Sequence, residues 1–159
     1  MQRSWVVLAG GIAVAAAVIA IVMSAVPGAA PSAGLLKPDD PVVVAQGRQI
    51  YESQCAACHG ADLAGQPDWQ KRKADGRLPA PPHDETGHTW HHPDAVLFDL
   101  TKLGPAKMIG DPTYQTDMPA YEGKLSDDEI VAVLSYIKST WPQPIRDRHD
   151  RMNAEARQN

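Results

Sequence analysis

The chain has 159 residues, which is enough for one domain and an additional segment. Its formal net charge of −4 argues against nucleic acid as a partner. Both cysteines belong to one short motif, which excludes a disulfide framework, and a single phenylalanine leaves few large apolar residues for a core.

Residues 5–26 carry no charged side chain, and as a helix they would extend about 33 Å, enough to cross a bilayer. A cleaved signal peptide is the alternative, but its apolar region is usually shorter, and Pro27 and Pro31 make a poor cleavage site. Arg3 precedes the run and no positive charge follows before Lys37. The sequence therefore predicts an uncleaved anchor with a cytoplasmic N-terminus, and a following domain outside the inner membrane.

Residues 27–41 are rich in Pro, Gly, Ala and Ser and predict a semi-rigid linker. A helix is predicted over 42–57, with Asp40 as its N-cap and Pro41 in its first turn. Gly47 and Tyr51 lie four residues apart on one face of this helix, which indicates a close crossing by another helix.

The motif Cys55-Ala-Ala-Cys58-His59 is typical of a c-type haem attachment site. On a helix the two thiols share a face and can form thioethers with one macrocycle, while His59 can bind the iron. A thiol–disulfide pair would normally follow a strand, and none is indicated here. A zinc site needs further ligands, and the chain has no third cysteine, but the histidines at positions 83, 88, 91 and 92 could supply the missing pair.

Residues 60–93 form a long polar segment without a regular period, and we expect it to wrap around the haem. Its cationic cluster, Lys71, Arg72, Lys73 and Arg77, predicts a solvated face, with steering of an acidic partner as the alternative. The histidines near Trp90 could bind a metal or the iron, although such loop histidines are commonly unliganded, and Trp90 itself could contact the haem.

Two further helices are predicted after this loop. Apolar residues at positions 96, 97, 100 and 103 indicate a helix that begins near Asp94 and ends at Gly104. Ser126 and Glu129 form a capping box that begins the last helix, whose apolar stripe comprises Ile130, Val133, Leu134 and Ile137. Residues 142–159 have no apolar face and predict a mobile or surface-lying polar tail.

Met118, followed by Pro119, lies in the irregular segment 110–123 and is the leading candidate for a second iron ligand. Met23 falls in the predicted anchor and Met152 in the tail, which leaves Met108 as the other thioether and the loop histidines as nitrogen alternatives. A thioether ligand raises the reduction potential relative to a second imidazole.

These residues resemble the class I c-type cytochromes, in particular small membrane-anchored bacterial monohaem proteins. The resemblance covers about 42–141 and rests on Gly47 and Tyr51 before the C-x-x-C-H motif, on Met118-Pro-Ala-Tyr121, and on Tyr136 in the last helix. It implies a crossing of Gly47 against Val133 and Tyr136, and Met118 as the sixth ligand. It also implies that a proline carbonyl accepts the Nδ1–H of His59, with Pro79, Pro81 and Pro82 as candidates.

The sequence thus predicts an all-α domain at 42–141 with one covalently bound haem c. An anchor at 1–26 and the linker precede this domain, and the polar tail follows it. It predicts a non-enzymatic carrier of single electrons without a small-molecule substrate. Expected partners are membrane redox complexes: quinol–cytochrome c oxidoreductase, a terminal oxidase, a dehydrogenase or a reaction centre. A fixed haem subunit of such a complex and an open-site haem sensor or enzyme are the alternatives.

Overall fold

A computed structural model describes residues 34–158, so the predicted anchor and the first part of the linker, residues 27–33, lie outside the described residues. Within this range all regular structure is helical, as predicted. The α-helices are α1 (Pro41–Ile50), α2 (Ala56–His59), α3 (Asp94–Leu103), α4 (Pro105–Ile109), α5 (Asp127–Ser139) and α6 (Gln143–Ala156). None of the helices in residues 34–158 has both the length and the apolar character needed to cross a bilayer.

The first predicted helix is present, but it contains a π-helical segment. Asp40 caps α1 by accepting hydrogen bonds from the backbone N–H groups of Val42 at 3.0 Å and Val43 at 3.2 Å. The chain then widens into a π-helix over Tyr51–Cys55 before it continues as α2. π-Helical segments occur frequently at functional sites, and this one ends on the first cysteine of the motif.

Helices α1 and α5 cross at Gly47, which is buried. A Cβ atom placed there would collide with the carbonyl oxygen of Ala132 and lie 2.9 Å from Cβ of Tyr136. The predicted glycine–aromatic crossing is therefore present, with Ala132 at the closest approach rather than its neighbour Val133.

The apolar core surrounds this crossing. The predicted stripe of α5 is buried, and so are residues from the other helices and from the loops: Leu36, Tyr51, Leu63, Leu97 and Trp141. The capping box at the start of α5 is also present, because the Ser126 hydroxyl accepts from the Glu129 N–H and the Glu129 carboxylate accepts from the Ser126 N–H.

Helix α3 has the predicted bounds, but its buried face is only partly apolar. Leu97 is buried, whereas Val96 is exposed, and the polar residues Asp94 and Thr101 are buried instead. The five-residue helix α4 was not predicted, since a single turn is too short to show a periodic pattern.

The sequence predicts a mobile or surface-lying polar tail over 142–159, and the structure shows that residues 143–156 of it are an ordered helix. This helix, α6, lies on the surface but buries two side chains, His149 and Asn153. The His149 Nε2–H donates to the carbonyl oxygen of His92 at 2.9 Å, and the Asn153 side chain is hydrogen bonded to Asp94. Because this buried face is polar, a search for apolar periodicity could not detect it.

Candidate functional site

The C-x-x-C-H motif lies where the π-helix passes into α2. Cys55 is half-buried, Cys58 is exposed, and His59 is buried with 8% of its surface accessible. The Tyr51 hydroxyl donates a 2.8 Å hydrogen bond to the carbonyl oxygen of Gly60. Gly60 has a φ of 81°, which permits the sharp exit from α2. The core tyrosine therefore fixes the end of the motif.

The His59 ring is held in one orientation and one tautomer. Its Nδ1 lies 2.9 Å from the carbonyl oxygen of Pro81, and because a carbonyl can only accept, Nδ1 carries the proton. Burial lowers the pKa of His59, which favours the neutral ring. Nε2 makes no hydrogen bond within residues 34–158 and keeps a lone pair for a metal. Of the three candidate prolines, Pro81 is thus the partner.

His83 stacks on His59, with ring centroids 4.0 Å apart and planes inclined by 21°. Its Nδ1 lies 2.8 Å from the Thr89 hydroxyl, and its carbonyl oxygen accepts from Trp141 Nε1 at 2.8 Å. Burial lowers the pKa of His83 well below its usual value, so the stacked pair is neutral. The sequence marked His83 only as a possible metal ligand, and nothing in the spacing indicated a stacking partner for His59.

The segment that carries Met118 is anchored beside the motif. Tyr121, three residues later, donates from its hydroxyl to the carbonyl oxygen of Gln54 at 2.8 Å. The Met118 side chain is half-buried, and its backbone N–H donates to the Thr116 hydroxyl at 3.1 Å. The structure thus brings the segment with Met118 to the residue that precedes Cys55.

Three of the four residues of the cationic cluster pair with carboxylates, whereas Arg72 donates to the carbonyl oxygen of Gly76. Asp117, next to Met118, accepts from Lys73 Nζ at 2.6 Å and lies 3.2 Å from Arg77 Nε. These exposed pairs add little stability, but they connect the 71–77 loop to the segment that carries Met118. Lys73 and Arg77 therefore link the two loops.

The arrangement does not favour zinc or thiol redox chemistry. Burial raises the pKa of the Cys55 thiol to about 11, whereas reactive and metal-binding cysteines have lowered values. Within residues 34–158, no three His, Cys, Asp or Glu side chains come together as a metal-ligand group. Two cysteines near one neutral, preoriented imidazole are instead the donor set that a covalently attached haem requires.

Comparison with known proteins agrees with this donor set. A family model described as "Cytochrome c" matches residues 44–141. The chain belongs to the cytochrome c family. A curated relative, cytochrome c6 of Tetradesmus obliquus, is 30% identical over 95 residues, which cover 59% of this chain and 86% of the relative. No solved structure matches the chain.

Membership in this family of electron carriers means that the protein carries one covalently attached haem c, and Cys55 and Cys58 have the matching spacing. The family match ends at Trp141, so α6 lies beyond it.

Proposed function

We propose that this protein is a membrane-tethered monohaem cytochrome c that carries single electrons between periplasmic or membrane redox complexes. Cys55 and Cys58 would hold the haem through thioether bonds, and His59 and Met118 would bind its iron. The observation that carries the proposal is the His59 ring, whose Nδ1–H is bound to Pro81 and whose Nε2 lone pair is unused within the described residues.

When bound, the haem supplies a one-electron ferric/ferrous couple. The chain contributes orientation and electrostatics. The Pro81 carbonyl fixes the imidazole plane and increases the basicity of His59 as a ligand. The neutral His83 ring covers one face of the His59 ring, and the Tyr51 hydroxyl restrains the backbone at Gly60, directly after His59. If His59 and Met118 both bind the iron, the haem would have no open position for a substrate, which supports a carrier of single electrons rather than an enzyme.

Replacement of the second ligand tests this assignment. Met118→His should lower the midpoint potential by on the order of tenths of a volt, because axial ligands tune haem potentials over about 0.8 V. The measurement is a redox titration followed by haem absorbance. Met108→His is the matched control: Met108 lies exposed in α4, and its replacement should leave the potential unchanged. An unchanged midpoint potential in Met118→His, or a lowered potential in Met108→His, would contradict the assignment of Met118 as an iron ligand.

The attachment residues can be tested separately. Cys55→Ala combined with Cys58→Ala should leave little stably folded domain, because the described core is small and the haem is expected to complete it. The measurement is far-UV circular dichroism during thermal unfolding. A cooperatively folding, haem-free double variant would contradict the proposed contribution of the haem to the core.

The membrane tether rests on the uncharged run 5–26 and on Arg3 before it. It would keep the haem domain at the periplasmic face of a bacterial inner membrane, where its local concentration near membrane partners is high. We expect the mature protein to retain residues 5–26 and to resist extraction from membranes by carbonate. A mature mass that lacks these residues, with the haem domain in the soluble fraction, would show a cleaved signal instead.

The expected partners are a donor and an acceptor among membrane redox complexes: quinol–cytochrome c oxidoreductase, a terminal oxidase, a dehydrogenase or a reaction centre. Purification of the intact protein from mild detergent separates two modes of action. A shuttle should be recovered free of these complexes, whereas recovery in fixed stoichiometry with one of them would make the chain a permanent subunit.

A further inference from the structure

Two histidines outside the haem site lie on one turn of the chain. His88 and His92 flank the 3₁₀-helix Thr89–His91 and are four residues apart. Their ring centroids are 5.4 Å apart, and the ring planes are inclined by 75°. Imidazole is the commonest protein ligand for transition metals, so two such rings in contact are a candidate pair of ligands.

Contacts with other parts of the fold restrain both His88 and His92. The His88 ring stacks on Trp69, with centroids 5.0 Å apart and planes inclined by only 7°. The backbone of His92 is fixed because its carbonyl oxygen accepts from the buried His149 of α6 at 2.9 Å. Such restraints lower the entropic cost of bringing two ligands to one ion.

The ring nitrogens of the pair are available. No hydrogen bond to a ring nitrogen of His88 or His92 occurs within residues 34–158. The His91 ring is engaged elsewhere, stacked on Trp90 at 3.7 Å.

We propose that His88 and His92 form a surface site for a divalent transition-metal ion, with Cu²⁺ bound most tightly. Imidazoles that ligate one ion at about 2.0–2.1 Å in adjacent positions have ring centres about 5 Å apart, close to the observed separation. Imidazole ligands suit copper, nickel and zinc, and among divalent ions Cu²⁺ binds most strongly. The described residues contain no group of three or more His, Cys, Asp or Glu side chains, so we expect water to complete the coordination.

The test uses the full-length holoprotein in its ferric state. In the holoprotein both cysteines are bonded to the haem and cannot bind the added metal. In the ferric state there is no ferrous iron that could reduce Cu²⁺. Cu²⁺ alone is titrated by calorimetry, and the bound ion is examined by electron paramagnetic resonance for hyperfine coupling to imidazole nitrogen. His88→Gln and His92→Gln should each lower the affinity for Cu²⁺ by more than roughly tenfold. Loss of an outer-shell contact to a metal ligand already costs about that much, and these variants remove a ligand itself.

His91→Gln is the matched control, since it removes the neighbouring imidazole and leaves the pair intact. It should bind Cu²⁺ like the wild type. Loss of a fold is not expected to confuse the result, because His88 is exposed and the His92 hydrogen bond to α6 uses its backbone. Unchanged haem absorbance and melting temperature verify this. Equal affinity in all three variants, or an equal loss in His91→Gln, would overturn the proposal.

Discussion

Helix α5 and helix α6 attach to the rest of the molecule by opposite means. Helix α5 crosses α1 through an apolar stripe and a glycine, in a contact so close that a single Cβ at Gly47 has no room. Helix α6 attaches through buried polar groups, which are satisfied by residues from α3, from α5 and from the loop before α3. The first contact depends on shape, and the second on hydrogen bonds and charge.

Asp94, at the start of α3, is the centre of the polar contact. Its carboxylate accepts from the backbone N–H of Leu36 at 3.1 Å and from Asn153 Nδ2 at 2.9 Å. It also lies 3.9 Å from Nζ of Lys138, which is fully buried and 2.5 Å from Asp150 of α6. A buried charge network of this kind is costly to break by removal of one partner, because the remaining groups lose part of their compensation.

The largest effect should therefore come from Asp94→Ala. We expect the free energy of unfolding to fall by about 4 kcal/mol, because Lys138 and the Leu36 N–H would lose a buried acceptor. Chemical denaturation of the holoprotein measures this. Asp99→Ala is the control, since Asp99 is an exposed aspartate of the same helix and its loss should have little effect. Similar losses in both variants would mean that the polar network does not anchor α6.

A slightly smaller effect is expected at the apolar crossing. Gly47→Val should destabilise the fold by about 3 kcal/mol, because the new side chain forces α1 away from Ala132 and Tyr136. Ala45→Val introduces the same side chain at an exposed position of α1 and should change stability little. Thermal unfolding of the pair measures the difference, and equal melting temperatures would show that the crossing is not close-packed.

The smallest expected effect is a pH dependence of stability, which the polar contact of α6 should show through His149 and the apolar crossing of α1 and α5 should not. Burial, and then the positive charge of Lys138, lowers the pKa of His149 below its usual 6.5. Since the unfolded chain then binds a proton more readily, His149 should support full stability above pH ~6.5 and reduce it as the pH falls, by at most ~1.4 kcal/mol per pH unit. His149→Gln should remove that part of the slope. Stability curves that stay parallel between pH 5 and 7 would contradict the assignment.

The comparison also explains which parts of the fold could be predicted. The stripe of α5, its capping box and the Asp40 cap follow local rules, and the structure confirms them. Helix α6 could not be predicted, because His149 and Asn153 are polar and their partners are far away in the sequence. The same limit applies near the iron site: the motif identifies His59, but only the folded chain selects Pro81 as its acceptor and stacks His83 on its ring.

The central claim is a haem whose two axial positions are filled by His59 and Met118. It is tested most directly by the absorption spectrum of the mature protein in both oxidation states, with carbon monoxide added to the reduced form. We expect a low-spin c-type spectrum with the weak ferric band of methionine–iron ligation, unchanged by carbon monoxide. A high-spin spectrum, or a ready shift with carbon monoxide, would contradict the claim and indicate an open iron site suited to sensing or catalysis.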